Sequence, residues 1–177
     1  VGQHFLVSFP KTGRTWLIHM LYHIQQKSGL NVIIENTHDM SEIIIENGFR
    51  QDPNILFRFT NRLRFRRAKV LFLVRDPRDV VVSHFHQVTK RAKNPFVFST
   101  ISEFVQDDIL GFKRIIHFYN LWSNSKNVPK DFHLIKYEDL LEDGISELDK
   151  VCEFIGIKCN QSIIKEVYHE SSASKMR

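Results

Sequence analysis

The chain has 177 residues, 42% of them hydrophobic and 25% charged, with a formal net charge of +5 and a pI near 9.3. This composition is that of an ordinary globular protein and predicts one domain, residues 1–177, with a sizeable core. No apolar run approaches the ~20 residues that cross a bilayer and no signal peptide is visible, so we expect a cytoplasmic protein without a membrane span.

Apolar runs alternate along the chain with amphipathic helical patterns, which predicts an α/β fold: a parallel β-sheet flanked by helices. Strands are predicted at Phe5–Phe9, Asn31–Glu35, Val70–Val74 and Phe132–Lys136. Helices are predicted at Thr15 to about Lys27, Met40–Asn47, Pro77 to about Arg91, Ser102–Asp108, Gly111–Ser125, Ile145–Ile155 and Ser162–His169. The pattern of Asn54–Phe59 fits either a strand or a turn of helix.

The loop between the first strand and the first helix has the composition of an anion-binding site. Its sequence is Pro-Lys-Thr-Gly-Arg-Thr-Trp, from Pro10 to Trp16. Loop amides and the positive end of the helix would face an anion, and Lys11 would add a mobile charge. The loop lacks the Gly-x-x-x-x-Gly-Lys-Ser/Thr pattern of nucleotide-hydrolysing P-loops, which disfavours a P-loop kinase.

Two other predicted strands also end at unusual polar segments. Arg75-Asp-Pro-Arg-Asp-Val-Val-Val-Ser83 follows the strand at Val70–Val74, and Tyr137-Glu-Asp-Leu140 follows the strand at Phe132–Lys136. The planar guanidinium of Arg75 matches two phosphate oxygens, and Ser83 lies about two helical turns further on. Because ligands of open parallel sheets bind beyond the carboxyl ends of the strands, we expect these segments to share one site.

These motifs resemble those of the sulfotransferases. Ser8–Trp16 is similar to the family's loop for the 5′-phosphosulfate, commonly Tyr-Pro-Lys-Ser-Gly-Thr-Thr-Trp, although Arg14 replaces the usual threonine. Arg75–Ser83 is similar to the family's 3′-phosphate motif, and Tyr-Glu-Asp-Leu recurs at the expected place. Order, spacing and strand context agree over nearly the whole chain, so the resemblance implies the P-loop-like nucleotide-binding fold of this family.

The resemblance implies the donor 3′-phosphoadenosine 5′-phosphosulfate, transfer of its sulfuryl group to a hydroxyl or amine, and the product 3′-phosphoadenosine 5′-phosphate, without a metal. Lys11 would stabilise the leaving phosphate. Trp16 would stack on adenine, with packing into the core as the alternative, and Tyr137 and Ser171 would also contact the nucleoside. The 5′-phosphate would be held by Thr12, Gly13, Arg14 and Thr15, and the 3′-phosphate by Arg75 and Ser83.

The acceptor's proton needs a base, which in cytosolic relatives is the histidine of a Lys-Thr-His sequence after the second strand. This chain lacks that tripeptide but has Thr-His-Asp at residues 37–39, after the predicted strand Asn31–Glu35. His38 is therefore the predicted base, with Asp39 orienting or tuning it, and a surface histidine is the alternative. The spacing from His38 to Arg75 predicts an insertion around residues 40–66.

Relatives continue to a glycine-rich loop that closes over the 3′-phosphate, whereas this sequence ends at Ser171–Arg177. A trimmed sequence, a naturally short protein and a degenerate relative are the alternatives, and we expect the first. A catalytically silent module that binds 3′-phosphoadenosine 5′-phosphate is the alternative function.

The acceptor is expected to be a small molecule or a glycan. Nucleic acid is not expected as a partner, since modest basicity does not indicate it. The Phe-rich segment Asn94–Phe98 favours an apolar alcohol or phenol, and the basic run Arg58–Lys69 favours an anionic glycan or is a solvated face. Cys152 and Cys159 have no metal-ligand spacing, and the sequence does not reveal the oligomeric state.

Overall fold

The computed structural model describes residues 3–39, 44–46, 49–51, 62–91 and 97–171, with the backbone alone for 44–46 and 49–51. The strands are β1 (His4–Ser8), β2 (Ile34–Thr37), β3 (Ile44–Glu46), β4 (Phe49–Gln51), β5 (Lys69–Val74) and β6 (Asp131–Lys136). The main feature of the fold is a four-stranded, fully parallel sheet with the strand order β2-β1-β5-β6. A separate antiparallel pair is formed by β3 and β4.

Helices connect the parallel strands and cover both faces of the sheet. They are α1 (Arg14–Ser28), α2 (Pro77–His86), α3 (Ile101–Gln106), α4 (Phe112–Asn124), α5 (Tyr137–Glu142), α6 (Gly144–Ile155) and α7 (Gln161–Glu170). A 3-10 turn at Arg62–Phe65 precedes β5, and a π-helical turn at Gln87–Arg91 extends α2. In the described ranges, every helix is too short or too polar to cross a bilayer.

The alternation of side chains along β5 explains the two cores. Leu71 and Leu73 are fully buried on one face, in a cluster with residues of α1, α6 and α7. Val70 and Phe72 lie on the other face, in a cluster with residues of α2, α3 and α4. A strand that is apolar on both faces is expected where helices cover a parallel sheet on both sides, and the predicted architecture is confirmed.

Helix ends follow their predicted signals. Gly29 ends α1 in the left-handed conformation with φ 68°, and Pro77 opens α2. The Asp76 side chain accepts a hydrogen bond from the backbone N–H of Arg78 at 2.8 Å and so caps α2. The start of the helix that follows β5 is therefore determined locally.

The structure corrects three expectations. The helix predicted at Met40–Asn47 is wrong, because Ile44–Glu46 is a strand paired with Phe49–Gln51; the isoleucine run of this segment is β-branched and favours extended backbone. The second strand begins at Ile34, three residues later than predicted, and α5 follows β6 at a place where no helix was predicted. The prediction for Asn54–Phe59 lies outside the described residues.

Candidate functional site

A cavity of about 680 Å³ opens at the carboxyl edge of the parallel sheet. The loop after β1 contributes Pro10, Lys11 and Gly13, and the first turn of α1 contributes Arg14, Thr15 and Trp16. His38 follows β2 directly, Arg75 follows β5, Tyr137 follows β6, and helix α2 with its π turn adds Ser83 and Gln87. All four parallel strands thus deliver side chains to one cavity, as expected for an open α/β sheet.

The strand register explains this convergence. Val74 is level with Lys136, so Arg75 and Tyr137 leave neighbouring strands together. The Arg75 guanidinium lies 4.6 Å from the centre of the Tyr137 ring, close enough for a cation–π contact. Glu138 accepts a hydrogen bond from the backbone N–H of Asp76 at 2.8 Å, which ties the two motifs to each other.

The loop after β1 turns sharply into helix α1. Lys11 and Gly13 both have positive φ, 71° and 96°. The Thr12 hydroxyl donates to the Phe9 carbonyl at 2.9 Å, so it closes the turn and does not line the cavity. Gly13 precedes the first turn of α1, and its carbonyl accepts hydrogen bonds from the N–H groups of Trp16 and Leu17 at 3.0 and 3.3 Å. The positive end of the helix dipole lies at this point and favours an anion.

Glycine is required at position 13 for two independent reasons. Its φ is unfavourable for residues with a side chain, and an added Cβ would overlap the Tyr137 ring. We expect Gly13→Ala to lower the free energy of unfolding by more than the ~1 kcal/mol typical of a left-handed position, because Tyr137 must also move. Chemical denaturation measures this change, and Gly29→Ala is the matched control because a Cβ there meets no atom within 4 Å despite φ 68°. Equal losses in the two variants would contradict the contact with Tyr137.

Hydrogen bonds to its backbone fix Arg75 in place, and its side chain lines the cavity. The Tyr119 hydroxyl donates to the Arg75 carbonyl at 2.9 Å and accepts from its N–H at 3.1 Å. Burial raises the pKa of Tyr119 to about 12, so the hydroxyl keeps its proton. Nη2 of Arg75 donates to Asp79 at 3.2 Å, whereas Nε is buried without a hydrogen-bond partner in the described structure. A buried, unpaired guanidinium N–H fits an anionic ligand at this point.

The sequence alone does not show the contact between Tyr119 and Arg75, because the two residues belong to separate elements. Nor does it show the contact of Gln87, whose Oε1 accepts a hydrogen bond from Lys11 Nζ at 3.3 Å. Burial and the nearby charge of Arg91 lower the pKa of Lys11. The signal for Gln87 was its position one helical turn after Ser83, which puts both side chains on one helix face.

His38 lies at the cavity because β2 pairs with β1. Val7 is level with Thr37, and the next residue, His38, brings Nδ1 to 2.7 Å from the carbonyl oxygen of Ser8. Only a protonated Nδ1 can donate to a carbonyl, so in the neutral imidazole Nε2 carries the lone pair.

Asp39 does not have the predicted relation to His38. Its carboxylate is 5% exposed and pairs with Arg64 at 2.8 Å and with Arg62 at 3.4 Å. Burial raises the pKa of Asp39, and the two arginines oppose that shift. The partner of His38 Nδ1 is a backbone carbonyl, so Asp39 anchors the chain after β2 to the 3-10 turn.

Trp16 and Ser171 occupy different positions relative to the cavity. Trp16 lines the cavity but is only 6% exposed, and its ring packs edge-on against Tyr137 with centroids 5.7 Å apart. Its Nε1 donates to the Ser171 carbonyl. Ser171 is 2% exposed, its hydroxyl lies 3.3 Å from His19 Nδ1, and it does not line the cavity.

The charge of the lining favours an anion. Lys11, Arg14 and Arg75 supply positive charge, and the described residues that line the cavity include no carboxylate. No cluster of three or more His, Cys, Asp or Glu side chains that could hold a metal ion occurs within the described ranges. Together with the helix amides, the lining fits a ligand with more than one anionic group.

Comparison with known proteins gives the family of this chain. Residues 2–177 match the family model described as the sulfotransferase domain. The chain is 28% identical to sulfotransferase 2A6 and 30% identical to sulfotransferase 2A1, both from Rattus norvegicus, over 97% of its own length and 66% of theirs. It therefore spans slightly less than two thirds of these curated relatives.

A crystal structure of mouse sulfotransferase SULT7A1 complexed with PAP has the same fold, with a TM-score of 0.68 and 21% sequence identity. The match covers 99% of this chain and 65% of the mouse chain. The predicted fold class is thus confirmed by a solved structure. Because the family model matches residues 2–177, the chain belongs to the sulfotransferase domain family.

Proposed function

We propose that this protein transfers a sulfuryl group from 3′-phosphoadenosine 5′-phosphosulfate to a hydroxyl or amine. The observation that carries the proposal is the convergence of all four parallel strands on one cavity, to which Lys11, Arg14 and Arg75 contribute positive charge. The family match and the curated rat relatives named as sulfotransferases support the reaction class. The crystal structure of the mouse sulfotransferase in complex with PAP supports the donor.

The donor would lie along the loop after β1 and across β5. Backbone amides of Thr12, Gly13, Arg14 and Thr15 would bind the 5′-phosphate at the start of α1. Arg75 and Ser83 would bind the 3′-phosphate, which the buried, unpaired Nε of Arg75 supports. The adenine would contact Trp16 and Tyr137 at the rim of the cavity. We also propose a contact with Ser171, which requires Ser171 to move because it lies behind Trp16.

The proposed chemistry is an in-line displacement at sulfur. The acceptor oxygen or nitrogen attacks the sulfur, and the bond between sulfur and the bridging phosphate oxygen breaks. Negative charge develops on that departing oxygen, and the Lys11 ammonium together with the amides of α1 stabilises it. The acceptor gives its proton to Nε2 of His38, whose tautomer is set by the Nδ1 contact with Ser8.

The binding test compares 3′-phosphoadenosine 5′-phosphate with 5′-AMP by calorimetry. The wild-type protein should prefer the 3′-phosphorylated ligand, and Arg75→Gln should reduce that preference by about 10- to 100-fold, because charge-assisted hydrogen bonds to the phosphate are lost. Arg78→Gln is the matched control, since Arg78 belongs to the same motif but pairs with Asp76, with an 82% exposed side chain. A preference that survives in Arg75→Gln would contradict the assignment of the 3′-phosphate.

The activity test uses donor labelled in the sulfuryl group and a panel of alcohols, phenols, amines and anionic glycans. Transfer of label to any acceptor supports the enzyme, whereas selective binding without transfer supports the silent nucleotide-binding module. We propose a small-molecule or glycan acceptor and a cytoplasmic location.

A further inference from the structure

Gln87 contacts the lysine to which the proposed mechanism assigns charge stabilisation. Its side-chain oxygen lies 3.3 Å from Lys11 Nζ, and both residues line the cavity. We propose that Gln87 is a positioning residue, which holds the Lys11 ammonium in the cavity until the departing phosphate oxygen takes its place. This inference rests on the proposed function, because it concerns the group that stabilises the leaving phosphate.

Lys11 needs such a contact because its own side chain does not fix the ammonium. The turn after β1 fixes the backbone at φ 71°, but four torsions separate Cα from Nζ. Holding a long lysine side chain in one conformation costs side-chain conformational entropy. The positive charge of Arg91 also disfavours the Lys11 ammonium. Burial lowers the pKa of His84 to about 4, so this nearby side chain is neutral and does not stabilise the ammonium by charge. Among the described residues, the other titratable side chains that line the cavity are Arg14, His38, Arg75 and Tyr137.

The position of Gln87 is well determined by the backbone. Its N–H bonds to the carbonyls of Ser83 and His84 at the end of α2, so the π turn continues the helix without a break. Ser83 and Gln87 are one turn apart, and both side chains reach the cavity. π turns are often found at functional sites, where they redirect side chains.

A neutral amide suits this role better than a carboxylate would. The amide oxygen accepts one of the three ammonium hydrogens and leaves two for the donor. An anionic partner would add the attraction of a full ion pair to the hydrogen bond and would compete with the leaving oxygen for the lysine. Gln87 can therefore hold the ammonium in place and still release it.

The first experiment measures turnover and nucleotide affinity in Gln87→Leu and Gln87→Glu. Loss of a hydrogen bond to a charged group should lower kcat of Gln87→Leu by roughly 10- to 100-fold. The Kd for 3′-phosphoadenosine 5′-phosphate should change far less, because the contact acts on the ammonium and not on the nucleotide. Gln87→Glu, which is nearly isosteric, should also turn over more slowly, because the carboxylate retains Lys11.

A double-mutant cycle separates positioning from a structural role. In the Lys11→Ala background, Gln87→Leu should have no further effect on kcat, since the group it positions is absent. Additive losses in the cycle would overturn the proposal. Thr89→Val is the matched control: it removes the bond from the Thr89 hydroxyl to the Phe85 carbonyl in the same turn, and Thr89 does not line the cavity. Its kcat should stay close to that of the wild type.

A second measurement does not depend on transfer activity. NMR titration of the Lys11 side chain in the nucleotide-free protein should give a lower pKa in Gln87→Leu than in the wild type, and a higher one in Gln87→Glu. Loss of an acceptor disfavours the ammonium, and an added negative charge favours it. An unchanged Lys11 pKa in both variants would overturn the contact, whatever the activity. Inactive wild-type protein with the expected titrations would overturn the proposed function and leave the contact with Gln87 supported.

Discussion

Replacing Lys11 by alanine should reduce kcat for sulfuryl transfer by about 100- to 1,000-fold, the loss typical of a deleted group that stabilises transition-state charge. The ammonium lies in the cavity and is bonded to a neutral amide, so it is available to the departing oxygen. Nucleotide affinity should fall much less, because the amides of α1, Arg75 and Ser83 would still bind the two phosphates. Single-turnover kinetics with labelled donor measure the chemical step.

The matched control for this variant is Lys113→Ala. Lys113 is on α4 with an 81% exposed side chain that pairs with Asp108, so its loss should leave turnover and stability close to the wild type. Lys11→Arg is the informative second variant, since a planar guanidinium carries the charge but cannot place it at the same point. Turnover of Lys11→Ala equal to that of the wild type would sink the proposed mechanism.

Removing the imidazole of His38 should lower kcat by about 100- to 10,000-fold, the range of general base catalysis, with little effect on nucleotide binding. The contact between Nδ1 and the Ser8 carbonyl leaves the lone pair of the neutral ring on Nε2, the tautomer that a base at this position needs. His38→Gln is the preferred variant because its amide can still donate to Ser8 while it has no basic nitrogen. Calorimetry and steady-state kinetics on the same preparation measure the two effects.

His117→Gln is the control for this substitution, since His117 is exposed on α4 and does not line the cavity. Added imidazole should restore part of the lost turnover in His38→Ala, where the vacated space is larger. Lost nucleotide binding with normal turnover per bound donor would rule out His38 as the base, and the acceptor's proton would then need another recipient.

The elements that the sequence predicted well are those with strong local signals. The sequence of β5 contains a continuous apolar run, α1 ends at Gly29, and α2 begins at Pro77. Each of these three features is determined by residues that are close together in the chain. The segment Ile44–Glu46 was predicted as helix, because a short apolar run fits either period and only pairing with Phe49–Gln51 decides between them.

The partners of the site residues were less predictable. Asp39 was expected beside His38 because the two are adjacent in sequence, but its carboxylate lies between Arg62 and Arg64. Tyr119 reads as one apolar position of α4, yet its hydroxyl fixes the backbone of Arg75. Contacts of this kind join residues far apart in the chain, and helical or strand periodicity carries no information about them.

By itself the sequence determined the parallel α/β architecture and the motifs at the ends of β1, β5 and β6, because strand patterns and turn residues act over a few positions. Only the tertiary structure decided how those ends combine. The order β2-β1-β5-β6 puts the residues after all four strands at one edge, where His38 meets the Ser8 carbonyl and Lys11 meets Gln87. The physical reason is that strand pairing and helix packing set the distance between segments that the chain itself separates by dozens of residues.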